Sequence, residues 1–152
     1  MTIAAIRPDE WNVPLFLHVL GAMVLVGTLL LAGIVLFSRR EGRSSARLGF
    51  RVFLLGVLPS YVVMRVGAQW VESEEGFGDE GPDWIGIGYT TADIGALLIL
   101  ICLVLTGIAA RRSSRTEGAG GGTLVRIAGG VSYLLLAAYV VAVWAMTAKP
   151  GS

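Results

Sequence analysis

The sequence is poor in charge, cysteine, histidine and lysine. Asp, Glu, Lys and Arg make up 15% of its 152 residues, against roughly 25% in a typical soluble domain. A soluble domain of this size needs more charge than that to stay in solution. The single cysteine, Cys102, excludes an intrachain disulfide, a zinc knuckle and an iron–sulfur set. Lys149 is the only lysine, so the basic residues are almost all arginine. No P-loop, nucleophile elbow or metal-ligand motif is present. Nothing in the chain demands catalysis, and the reading is non-enzymatic.

What the chain does have is apolar residues in long blocks. They form 55% of the sequence, together with 21 glycines and many alanines and valines, a composition of high-GC bacterial type. Four blocks each supply the ~20 apolar residues that a bilayer crossing needs. They run from about 13 to 38, 48 to 71, 84 to 110 and 124 to 148. In lipid every backbone polar group must be satisfied within its own segment, so each block is expected to be a helix. The expected fold is therefore an all-α membrane protein, a single domain over 1–152 built as a four-transmembrane-helix antiparallel bundle. Asn12 caps the first span and Pro14 occupies its first turn, where a missing N–H costs little. The first span follows "RPDEWN" and is too long for a secretory signal, so it is read as a retained helix. Pro59 falls in the middle of the second span and is expected to kink it.

The connecting loops orient this bundle. Loop 39–47 carries Arg39, Arg40, Arg43 and Arg47 against Glu41. Loop 111–123, with Arg126 just beyond it, carries Arg111, Arg112 and Arg115 against Glu117, and "GAGGG" makes it a flexible connector. Loop 72–83 carries Glu72, Glu74, Glu75, Asp79, Glu80 and Asp83 and no base. The positive-inside rule puts loops 39–47 and 111–123 in the cytoplasm, with both termini and the acidic loop outside. The expected location is the inner (cytoplasmic) membrane. The two basic loops resemble each other, as a duplicated hairpin or as independent stop-transfer loops. "WIGIGY", Trp84 to Tyr89, is expected to lie along the outer interface before span three descends. Trp11, Trp70 and Trp84 fit an interfacial aromatic belt.

Ionisable groups inside a span are costly and turn toward the bundle interior or water. His18, Arg65 and Asp93 are three such groups on three spans. Counted from the outer span ends at the helical rise, His18 and Arg65 lie roughly 9 Å in and Asp93 at most roughly 13 Å. Tyr61, Arg65 and Gln69 form an i, i+4, i+8 stripe on span two. Tyr89 and Asp93 share a face if the third helix reaches back to Tyr89. His18 shares its face with Gly21, Ala22 and Leu25, and the small residues admit a neighbouring helix closely. Tyr139 and Trp144 reach the same layer, and Ala138 and Ala142 offer a small-residue contact. The candidate polar cluster or ligand pocket is thus His18, Tyr61, Arg65, Gln69, Tyr89 and Asp93. Structural alternatives stand beside it. Thr90 or Thr91 is placed to cap a helix with Asp93 in its first turn. Arg65 has two partners within reach, Glu72 and Asp93. His18 has a tyrosine, a carboxylate or a backbone carbonyl.

The stretch "LHVLGAMVLVG", Leu17 to Gly27, resembles the first helix of small bacterial membrane families that carry Leu-His followed by small residues and a glycine. These are predicted integral membrane proteins, the copper-resistance D type and the haem-associated membrane protoporphyrinogen oxidases. The resemblance to the oxidases implies haem ligation by His18. The chain departs from that pattern: it has no second histidine, so one chain holds no bis-histidine haem. Met64 and Met146 are the available soft second ligands for haem b or copper, and a homodimer would bring two His18 together.

Three functions follow. The first is a small bacterial integral membrane protein acting as a subunit, scaffold or sensor, with no cofactor required. The second is a haem- or metal-binding redox membrane protein built on His18. The third is a small dimeric transporter using the polar layer with Pro59 as hinge. Expected partners are the lipid bilayer and either other membrane subunits or a second copy. Nothing points to nucleic acid.

Overall fold

A computed structural model describes residues 12–37, 42–75, 83–115 and 122–148. These residues are entirely helical, in the order α1 (Asn12–Phe37), α2 (Gly42–Val52), a π turn (Phe53–Val57), α3 (Leu58–Glu75), α4 (Asp83–Arg115) and α5 (Gly122–Ala148). The segment from α2 through α3 is continuous. Four helical segments are therefore long and apolar enough to cross a membrane. About a third of each is buried inside the bundle. The remaining surface is apolar too: Phe16, Met23, Leu55, Leu97 and Leu134 all point outward. Such a surface is at home in lipid, where the polar backbone is satisfied inside each helix.

Several boundaries differ from the sequence expectation. Residues 42–47 are the first turns of α2, and Arg111 to Arg115 continue α4. Glu72 to Glu75 extend α3 by a turn. "WIGIGY" does not run along an interface; it forms the first turns of α4. Apolar residues continue the helical period there, so the helix starts at Asp83. Thr90 and Thr91 are consequently mid-helical, and Asp93 is not a first-turn residue. Most of the "GAGGG" connector, most of the acidic loop and Trp11 lie outside the described residues.

The segments pack in the ring order α1, α2–α3, α4, α5, each antiparallel to its neighbours. Leu25, Leu29, Phe53, Val57, Ile99, Cys102 and Leu135 fill the centre. Intrahelical bonds satisfy the interior hydroxyls of Thr106 and Ser132. Thr106 donates to the Cys102 carbonyl at 2.7 Å and Ser132 to that of Ala128 at 2.7 Å.

The second span changes partner along its length. Its α2 half packs against α4, whereas α3 leaves α4 and lies against α1. The change occurs at the π turn. Pro59 has no N–H to give to the carbonyl four residues back, so the α-helical ladder cannot continue unbroken. The Leu58 N–H bonds to the Phe53 carbonyl instead, a five-residue step. Ser60 Oγ donates to the Gly56 and Val57 carbonyls at 2.8 and 3.0 Å. The expected kink at Pro59 is thus a π turn just before it. Beyond this turn α3 packs mainly on α1 and only lightly on α4, leaving a seam between α3 and α4.

Candidate functional site

The α1–α3 interface fixes His18. A Cβ at Gly21 would lie 2.5 Å from the Met64 nitrogen, and one at Gly67 would lie 2.6 Å from the His18 nitrogen. Only glycine permits this approach of two backbones. The imidazole lies in this contact, half-buried, with Nδ1 3.0 Å from the Met64 carbonyl oxygen. A carbonyl only accepts, so Nδ1 carries the proton. His18 therefore takes the backbone-carbonyl partner among those open to it.

Across the α3–α4 seam the gap is bridged by long polar side chains. Arg65 Nη2 donates to Asp93 Oδ1 at 3.0 Å. The Arg65 guanidinium carbon stands 4.5 Å from the centre of the Tyr89 ring, a cation–π contact. The Tyr89 hydroxyl bonds to the Glu72 carboxylate. Deeper in the seam, the Tyr61 hydroxyl donates to the Ala92 carbonyl at 3.2 Å. Tyr61, Arg65, Tyr89 and Asp93 are thus brought together, since α4 reaches back beyond Tyr89 and places Tyr89 and Asp93 on one face. Gln69 is exposed and takes no part. His18 is joined to the seam only through α3, whose other face it contacts.

The Arg65–Asp93 pair is open to one side. The Arg65 side chain is 22% exposed and that of Asp93 is 66% exposed. Among the described residues Arg65 spends one N–H donor on this contact and Asp93 one oxygen. A self-contained pair of this kind is commonly bidentate.

Two features of the site were not legible in the residues. Glu72 was available to Arg65 by sequence and instead holds Tyr89. Tyr139 was placed in the layer without a role. Its side chain is 5% exposed, and its hydroxyl is the one buried polar side-chain atom among the described residues with no hydrogen-bond partner. That hydroxyl lies directly over Gly95 on the inner face of α4, within electrostatic reach of Tyr61 and Arg65. Ala142 is buried beside it on α5, whereas Trp144 is exposed.

The level of this layer follows from helix lengths. Asp93 lies roughly 27 Å along α4 from Arg111, and Trp144 roughly 27 Å along α5 from Arg126. Arg65 lies roughly 25 Å from Arg47 when the π turn is allowed for. The layer therefore stands about one hydrocarbon thickness, ~30 Å, from the arginine-bearing ends. This is shallower than a count from the outer span ends gives, because the arginine ends rather than the apolar span ends set the reference.

Met64 is buried on α3 with its backbone on Gly21, and the Met146 methyl covers Gly88 at the α4–α5 contact. Among the described residues no three His, Cys, Asp or Glu side chains are grouped to hold a metal ion. A shallow, apolar groove of about 150 Å³ lies between α4 and α5, lined by Thr90, Thr91, Ile94, Gly95, Leu98 and Leu134 among others. Comparison with protein families, with curated proteins and with solved structures finds no match.

Proposed function

We propose that the chain is a bacterial multi-pass integral membrane protein of non-enzymatic type, serving in the cytoplasmic membrane as a subunit, scaffold or sensor. One observation carries this reading: His18, Tyr61, Arg65 and Tyr89 each make a polar contact across a helix interface. His18 holds Met64, Tyr61 holds Ala92, Arg65 holds Asp93 and Tyr89 holds Glu72. No nucleophile is paired with a base in this set, and the arrangement ties helices together rather than poising a reaction. Arg47, Arg51, Arg111, Arg112 and Arg126 belong to one end of the antiparallel bundle, and Glu72 and Glu74 to the other. By the positive-inside rule the arginine end is cytoplasmic and both termini are outside.

Labelling with a membrane-impermeant maleimide tests the orientation, in a Cys102→Ala background. Glu74→Cys should label in intact cells and Arg112→Cys only after permeabilisation; the reverse pattern overturns the orientation. Recovery of the chain in the soluble fraction overturns the membrane reading.

A redox reading on His18 has one observation in its favour. Nδ1 on a backbone carbonyl is the arrangement usual in metal-bound histidine, which ligates through Nε2. The backbone contact of α1 with α3 counts against a macrocycle between those two helices. A Soret band, or stoichiometric copper, in protein purified from haem- and copper-replete cells would replace the non-enzymatic reading.

A further inference from the structure

The α3–α4 seam has polar capacity left over, and the kinds left over form a pattern. Among the described residues Arg65 retains four of its five N–H donors, and Asp93 retains an oxygen on a side chain that is 66% exposed. Asp93 is open to the surroundings at this seam, since α3 lies mainly against α1 beyond the π turn. The seam stands about one hydrocarbon thickness from the arginine ends, which is the depth of phospholipid headgroups. Its charge is mixed with an acidic excess: Arg65 faces Asp93, and Glu72 lies on the same seam.

We propose that this seam binds the headgroup of a phosphoethanolamine lipid from the leaflet at the Glu72 end. The inference rests on the membrane reading above and names the ligand of its polar layer. The lipid phosphate accepts from the free N–H groups of Arg65, whose planar fork suits that anion. The lipid ammonium donates to the free oxygen of Asp93. The free donors of Arg65 and the free oxygen of Asp93 thus meet complementary groups in a single headgroup. The same chemistry selects among lipids. A choline headgroup has no N–H to give Asp93, and a phosphoglycerol headgroup brings no cation to offset the acidic excess.

The test is native mass spectrometry of the delipidated full chain in detergent. It is titrated with phosphatidylethanolamine, phosphatidylcholine and phosphatidylglycerol of identical acyl chains. A charge-assisted hydrogen bond gained by one lipid corresponds to a preference of about tenfold for phosphatidylethanolamine over phosphatidylcholine. Asp93→Asn should erase that preference, and Arg65→Gln should weaken all three lipids. Soluble glycerophosphoethanolamine in excess should displace the lipid partly, which separates headgroup from acyl-chain binding. Equal retention of phosphatidylethanolamine and phosphatidylcholine by a folded protein overturns the proposal, as does an undiminished preference in folded Asp93→Asn. Either result leaves the membrane reading standing, since that is decided by fractionation and labelling.

Discussion

Replacing Gly67 by alanine tests the packing logic of the whole candidate site. The added methyl would lie 2.6 Å from the His18 nitrogen, 2.9 Å from its Cα and 3.0 Å from the Pro14 carbonyl oxygen. All three are backbone atoms of α1, so no side-chain rotation relieves the clash. Restoring an ordinary contact of ~3.5 Å requires the helices to separate by about 0.9 Å. The His18–Met64 hydrogen bond crosses the same interface at 3.0 Å. That separation takes it beyond ~3.5 Å, where little bonding remains. Overpacking costs about 1–3 kcal/mol, and the lost hydrogen bond about 1 kcal/mol. The better helix propensity of alanine returns about 0.8–1 kcal/mol. The net expectation is a loss of about 1–3 kcal/mol. Gly27 is the internal control: it is helical too, and a Cβ there meets nothing within 4 Å. Gly27→Ala should gain about 0.5–1 kcal/mol from propensity alone. Reversible unfolding by SDS in mixed micelles, followed by circular dichroism, reads both variants. Equal stabilities for the two would refute the close α1–α3 contact and with it the placement of His18.

His18→Leu should destabilise the bundle by about 1 kcal/mol through the lost bond to Met64, with unchanged helicity and an unchanged visible absorption spectrum. Tyr139→Phe removes a buried hydroxyl that has no protein partner, so in lipid-free detergent it should be neutral or stabilising by up to about 1 kcal/mol in SDS unfolding. A double-mutant cycle on Arg65→Gln and Asp93→Asn should give a coupling of only about 0.5 kcal/mol, because the carboxylate is mostly exposed. A coupling several times larger would mean that the pair is buried. Pro59→Ala restores an N–H to the helix and should allow the π turn to relax to α-helix. Spin labels at Val66 and Leu97 should then report a changed α3–α4 distance, and an unchanged distance would mean that packing rather than proline sets the light α3–α4 contact.

The sequence by itself determined the class of this protein and the course of its chain. Apolar blocks of bilayer length can satisfy their backbones in only one way, so four antiparallel helices followed without tertiary information. Spacing also determined which residues share a face: Tyr61 with Arg65, and His18 with Gly21. Pro59 marked where the second span would depart from a straight helix. Tertiary structure alone decided the pairings, because a helical period gives a side chain's direction and not what stands opposite. Arg65 had two acidic candidates and took Asp93, leaving Glu72 to Tyr89. His18 found a carbonyl, since Gly67 lets the α3 backbone come within reach of α1. Whether Asp93 capped a helix or bridged two depended on where α4 begins, and the chain offers a start at Trp84 as well as one at Thr90 or Thr91. The partner switch of the second span, from α4 to α1, leaves the seam around Arg65 and Asp93. It depends on two glycine contacts and a π turn acting together, a conjunction that no local pattern in the chain encodes.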